Sequence, residues 1–298
     1  MNILQISVPK SGSYWLYTIL IQILEKKGIK PNSFIRHQPE YVRLKDQPLS
    51  FEGQPGVDML DIEDEGCYYR ISSVVKKRLT DLNHYIKSSS VVWTHSSFCT
   101  NSFEAFPLFD KKIYIVRDPR DRALSSARFA FNPYMQQYYP SVYSSPDEYL
   151  MNEYERLLEQ WVWHVGNYLL YKDELDIHFI FYERLLLDFE RELQSLLNYL
   201  EITLSKEQQE EISRSVTFLA MKRISPKHLQ TGKYENWDHH LSTSQKELTV
   251  SKAGRLMQLL NFPLVEGQTN NPSVPQIYQK NELMELLGQI HWQGLFSY

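Results

Sequence analysis

Val8-Pro9-Lys10-Ser11-Gly12-Ser13-Tyr14-Trp15 follows the apolar run Ile3 to Val8 and leads directly into a helical pattern. A strand, a tight turn and a helix start, with a lysine inside the turn, form a device for holding phosphate or sulfate. Gly12 lets the backbone turn tightly, and the first amides of the following helix point outward without intrahelical partners. Lys10 adds a mobile positive charge at the same place. A Walker A loop needs G-x-x-x-x-G-K-[ST], with its lysine after the glycines. Here Lys10 precedes Gly12 and no glycine precedes Lys10, so an ordinary ATP or GTP loop is not expected.

The rest of the chain sets bounds on this reading. Its 298 residues suffice for one large α/β domain, and 42% hydrophobic against 23% charged residues is ordinary globular composition. A net charge of -4 argues against a general nucleic-acid binder, so an anion site must be built by local clustering of basic residues. Two cysteines, Cys67 and Cys99, imply no disulfide framework. The N-terminus enters a strand at once, without a basic leader, and the most apolar helical run, Trp15 to Leu24, is too short to span a bilayer. These features lead us to expect a cytoplasmic protein without membrane contact.

Apolar runs alternate with amphipathic stretches, the pattern of a parallel sheet flanked by helices. The expected strands are Ile3 to Val8, Val91 to Trp93, Ile113 to Val116 and Ile177 to Phe181. The expected helices are Ser13 to Lys27, Pro119 to Phe129, Pro146 to Tyr171, Leu185 to Leu200, Lys206 to Ser215 and a short C-terminal one, Asn281 to Ile290. Residues 29–67 carry several prolines and glycines with mixed charge and read as a loop-rich insertion. The expected organisation is one domain over 1–262, with 29–67 as its cap and 263–298 as a linker and helix on the same domain.

A second anion signal lies at Tyr114-Ile115-Val116-Arg117-Asp118-Pro119-Arg120-Asp121-Arg122. Arg117 ends a strand where open α/β sheets bind ligands, and Pro119 suits a first helical turn. Arg120 and Arg122 read as a solvated helix face paired with Asp118 and Asp121. Arg117, at the strand edge, reads as a ligand group.

With these residues in view, the chain resembles the cytosolic-type sulfotransferases. Pro9-Lys10-Ser11-Gly12-Ser13-Tyr14-Trp15 is similar to their 5′-phosphosulfate loop, PKSGTTW. Arg117, followed eight residues later by Ser125, resembles their 3′-phosphate motif. Phe181-Tyr182-Glu183-Arg184 is similar to their YED segment, and Gly232-Lys233-Tyr234-Glu235-Asn236-Trp237 to their late G-x-x-G-x-W motif. The four motifs run in the family's order and cover most of the chain.

The resemblance implies a P-loop-like α/β fold and the donor 3′-phosphoadenosine 5′-phosphosulfate (PAPS), released as 3′,5′-adenosine bisphosphate (PAP). It implies that Lys10, Ser11, Gly12, Ser13 and Tyr14 hold the phosphosulfate, and Arg117 and Ser125 the 3′-phosphate. Trp15, Tyr182 and Phe218 fall where family members enclose the adenine, and Gly232 belongs to the late nucleotide motif. For single aromatics the simpler reading is core packing.

The family's catalytic histidine follows a short strand in a K-T-H sequence, and here Val91-Val92-Trp93-Thr94-His95 ends a strand the same way. Sulfuryl transfer needs such a group, because the acceptor hydroxyl or amine loses a proton as its bond to sulfur forms, and imidazole accepts protons near neutrality. The chain has nine histidines, and His95 stands above His84, His164 and His178 through its place at the sheet edge. No pair has metal-ligand spacing, so no metal is expected. Trp93 replaces the family's lysine on the strand face of His95, and Gln230-Thr231-Gly232 stands where many relatives carry R-K-G. The family's dimer motif is not matched around Lys246 to Val250, which leaves the oligomeric state open.

The function expected is sulfuryl transfer from PAPS to a small-molecule hydroxyl or amine, with His95 as base and Lys10 stabilising charge on the leaving phosphate oxygen. A nucleotide kinase, a non-catalytic nucleotide-binding protein and a secretory-pathway sulfotransferase are the rival readings. Trp93, Tyr41, Tyr68 and Asp61 are the expected acceptor-side residues. Carboxylates between Asp58 and Glu65 read mostly as a solvated acidic loop; one or two turned inward would suit a polar or cationic acceptor.

Overall fold

A computed structural model describes the chain except residues 48, 50, 52, 73, 218, 219, 221–236, 269 and 291–298. Seven strands form one sheet: β1 (Ile3–Ile6), β2 (Asp58–Glu63), β3 (Gly66–Ile71), β4 (Val75–Arg78), β5 (Val91–Thr94), β6 (Lys111–Val116) and β7 (Ile177–Phe181). Their order is β4-β3-β2-β5-β1-β6-β7. The five strands from β2 to β7 in that order run parallel, and β3 and β4 add an antiparallel edge. The sheet is therefore mixed, where a parallel one is expected from the sequence.

Alternation along the strands separates two apolar layers. Ile3, Val91, Ile113, Ile115 and Ile180 meet the helices Ser13–Lys26, Phe189–Leu200 and Lys206–Ser215. Leu4, Ile6, Val92, Tyr114 and Val116 meet Pro119–Ala130, Pro146–Leu170 and Thr243–Leu259 on the other face. Strands covered on both sides need apolar residues at nearly every position, which explains why these runs stand out in the sequence. The helix Lys280–Gly288 lies against Pro146–Leu170, and Gly166 makes room for it: a Cβ there would stand 2.8 Å from Leu287.

Four local features depart from the sequence reading. The expected strand Ile3 to Val8 stops at Ile6, leaving Ser7 and Val8 to start the turn. The expected helix Leu185 to Leu200 is two helices, Tyr182–Leu187 and Phe189–Leu200. Asp188 sits between them outside helical geometry and accepts a hydrogen bond from the Arg191 amide, capping the second. The acidic stretch Asp58 to Glu65 is β2 and its hairpin, with the carboxylates of Asp61 and Glu63 paired across to Arg70 and Lys76. Arg120 and Arg122 are buried, each about 1% exposed, so the helix face they occupy is not solvated.

Candidate active site

Register brings the carboxyl ends of β5, β1, β6 and β7 to one edge. Ile6 pairs with Thr94 on one side and Tyr114 on the other, and Val116 pairs with Phe181. Lys10 therefore follows the central strand, with His95 after its neighbour β5, Arg117 after β6 and Tyr182 after β7. This is the crevice where open α/β sheets hold ligands.

The turn after β1 has two residues in the left-handed region, Lys10 at φ 74° and Gly12 at φ 96°. Gly12 is required twice over: beyond its φ, a Cβ would lie 2.5 Å from Cδ2 of Tyr182. Gly12 caps the helix Ser13–Lys26 without a side-chain hydrogen bond to its first amides, as an anion-binding helix terminus requires. Ser13 is tied to Ser7 by a 2.6 Å hydroxyl contact, and its carbonyl accepts from Gln5 at 2.6 Å.

Three guanidinium groups build the wall opposite. Arg117 donates to the Lys10 carbonyl at 3.2 Å and lies 4.2 Å over the Tyr182 ring. Arg122 donates through Nε to the Pro9 carbonyl at 2.9 Å, and through its other nitrogens to Leu157 and Gln160. Arg120 is held by both oxygens of Asp118 and lies 3.5 Å over Trp237, whose amide donates to Asp121 at 3.0 Å. The pairing of Arg120 with Asp118 follows the sequence reading; the support that Arg122 gives the loop was not legible, because its partners lie far off in sequence. Among the buried side chains, Ser11 Oγ and Arg117 Nε make no hydrogen bond. Both sit beside the amide-rich turn, where oxygen atoms of an anion would complete them.

The Lys10 ammonium lies 3.7 Å over the Phe129 ring. Burial, and then the charge of Arg117, push its pKa down to about 7. Ser125 is half-buried on the helix Pro119–Ala130. Trp15 packs edge-on to Tyr182 at 5.6 Å, stacks on Phe189 and donates to the Val216 carbonyl at 2.9 Å. Glu183 accepts from the Asp118 amide at 2.9 Å, and burial followed by the Asp118 charge raises its carboxyl to about 8. Phe218 and Gly232 lie outside the described residues.

His95 is fixed through both ring nitrogens. Nδ1 meets the Ser7 carbonyl at 2.7 Å, an acceptor only, so Nδ1 carries the proton. Nε2 accepts from the indole N–H of Trp93 at 3.0 Å. Behind the ring, His164 reaches the His95 carbonyl at 3.3 Å, and Tyr168 donates to the Ser96 carbonyl at 2.8 Å. His164 is fully buried and bonded to Tyr114 at 2.6 Å, a structural histidine. Burial is the largest cause lowering His95 to about 4; the Ser7 hydrogen bond works against it, and Lys10, Arg122 and Arg70 lower it further.

On the acceptor side, Trp93, Met59 and Arg70 share one sheet face, as do Asp61 and Tyr68. Trp93 stands in a small aromatic group with Phe51 at 6.1 Å and Tyr17 at 6.3 Å, and Tyr14 meets Phe51 at 4.4 Å. Asp61 is held by Arg70 at 2.7 Å, and Tyr68 carries Lys76 over its ring at 4.6 Å. Tyr41 packs near Gly56 on the short helix Pro39–Leu44. Asp58, the carboxylate turned fully inward, accepts from the Ile35 amide at 2.8 Å and serves the fold.

A family model for the sulfotransferase domain matches residues 2–258. Among solved structures, the mouse sulfotransferase SULT7A1 complexed with PAP is similar at 18% identity, over 86% of this chain and 88% of that one, with a TM-score of 0.51. Retinol dehydratase in complex with androsterone and inactive cofactor PAP is similar at 17% identity, over 86% and 80%, with a TM-score of 0.55. At these identities the structural likeness speaks for the fold. Among the described residues no helix is long and apolar enough to cross a membrane.

Proposed function

Because the chain belongs to the sulfotransferase family, we propose that it moves a sulfuryl group from PAPS to a hydroxyl or amine of a small molecule in the cytoplasm, with His95 as the general base. The observation that carries this reading is the order of groups along one sheet edge. His95, the Lys10 turn and Arg117 follow three adjacent strands, an order that suits a base, a sulfuryl cradle and a 3′-phosphate grip set side by side.

In this reading the amides of Ser11 to Tyr14 hold the 5′-phosphosulfate, with the uncommitted Ser11 hydroxyl as a further donor. Arg117 and Ser125 take the 3′-phosphate, while Tyr182 and Trp15 form an aromatic wall for the adenine. The fixed Nδ1–H tautomer of His95 leaves Nε2 as the atom that receives the acceptor proton. Lys10 stabilises charge on the departing phosphate oxygen, and the transfer runs through a loose, in-line transition state like that of phosphoryl groups.

The surroundings of His95 bear on the acceptor. Its heaviest charged neighbours, Lys10, Arg122 and Arg70, are all basic, and Asp61 is already engaged by Arg70. An acceptor with a cationic centre near the base is therefore disfavoured, against the expectation from the acidic segment. An uncharged hydroxyl compound packed on Trp93 and Phe51 suits this wall better. Incubation with PAPS and a panel of phenols, alcohols and amines, with mass spectrometry of products and PAP, tests the reading. Sulfated product and equimolar PAP are expected; PAP release without any sulfated acceptor would count against it.

A further inference from the structure

We infer that Trp93 is a displaceable cap on the base: its indole N–H holds the Nε2 lone pair of His95 until an acceptor hydroxyl takes that place. The inference rests on His95 being the base. Its geometry leaves one assignment of protons. The Ser7 carbonyl can only accept and the indole nitrogen can only donate, so the ring is clamped neutral with hydrogen on Nδ1. A proton arriving at Nε2 would set two N–H groups against each other at 3.0 Å. The base cannot work while the cap is closed.

Trp93 belongs to a small satellite cluster with Phe51 and Val57, apart from the two main apolar layers. A tryptophan there also does what a flexible lysine would not, since it brings a single donor on a rigid, apolar ring. The charges that act on His95 are those of Lys10 in the β1 turn, Arg122 on the Pro119–Ala130 helix and Arg70 on β3, and His164 meets its carbonyl from behind. Asp61 on β2 is turned to Arg70. None of these replaces the indole as a partner for Nε2.

When an acceptor hydroxyl displaces the indole, its proton passes to Nε2 as its oxygen bonds to sulfur. The S–O bond to the 5′-phosphate breaks, and PAP leaves with that electron pair. The imidazolium then loses its proton to solvent, and only afterwards can the indole N–H return. Trp93 thereby couples closure of the cap to completion of each turnover.

Long-range proton–nitrogen NMR of the PAP complex tests this, comparing the wild type with Trp93→Phe, which keeps a ring and removes the donor. At pH 7.5 the His95 Nε2 resonance is expected at higher nitrogen frequency in the variant, with Nδ1 still protonated. The titration midpoint of His95 should rise by about 0.4 to 1 pH unit, the equivalent of one ordinary hydrogen bond. An unchanged Nε2 frequency and midpoint would overturn the inference. Should the variant not fold, the wild type decides: its Trp93 indole N–H resonance must move through the His95 titration, and must move again when phenol, 2-naphthol or cyclohexanol, whichever binds, is added. A static indole resonance would overturn the cap. Failure of PAP to bind the wild type would instead strike the donor reading, which calorimetry separates from the NMR result.

Discussion

Gly12 and Tyr182 are packed so closely that any β-carbon on residue 12 would enter the tyrosine ring, 2.5 Å from Cδ2. The same ring lies under the Arg117 guanidinium. Backbone turn, tyrosine ring and Arg117 guanidinium are therefore one mechanical unit. Gly12→Ala is expected to displace Tyr182 and to weaken PAP binding at least tenfold. It should also cost about 1–3 kcal/mol of stability, through the left-handed φ and the overlap. Calorimetry and denaturant unfolding measure both; unchanged PAP affinity would detach Tyr182 from the nucleotide.

Arg122 supports the loop from beneath. Arg122→Met leaves the carbonyls of Pro9 and Leu157 without their guanidinium donors. A loss of about 2–4 kcal/mol is expected from these buried partners, together with weaker PAP binding although Arg122 is assigned no contact with the nucleotide. Urea unfolding and titration calorimetry of the one variant check the two effects.

With Lys10 in the donor site, as proposed, PAP binding has a pH dependence of known sign. Its pKa near 7 in the free protein must rise when an anionic nucleotide binds beside it. Binding then takes up protons, so affinity for PAP is highest below pH 7 and falls as pH rises above it. Calorimetry at pH 8 in buffers of different ionisation enthalpy should show net proton uptake, and Lys10→Met should abolish it.

His95→Asn is designed to keep the carbonyl contact and to remove the proposed base. PAP affinity should stay within about twofold, while turnover falls about 10²-fold or more. Turnover near the wild-type value with the same acceptor would transfer the role to another group.

The candidate site is legible in the sequence wherever a strand runs straight into a turn with a basic residue, because the strand's apolar run and the helix start bracket the edge position. Lys10, His95 and Arg117 stand out that way, and each follows one of three adjacent strands. The β2 to β4 region was not legible. Its strands carry Asp61, Glu63, Arg70 and Lys76, whose charges cancel only once the hairpins pair them. The burial of Arg122 was hidden for a similar reason: Gln160 and Leu157, which meet it, lie on a helix far along the chain. For Trp93 and His95, spacing put both on one strand face. It could not give the ring orientations that make one the hydrogen-bond donor of the other.

Titration of the protein with PAP against 5′-AMP decides whether the Lys10 turn and Arg117 hold a 3′-phosphorylated adenine nucleotide. PAP is expected to bind at least tenfold tighter, with Arg117→Ala erasing most of that difference. Equal affinity for the two nucleotides, or a preference that survives Arg117→Ala intact, would rule out a 3′-phosphate site at Arg117.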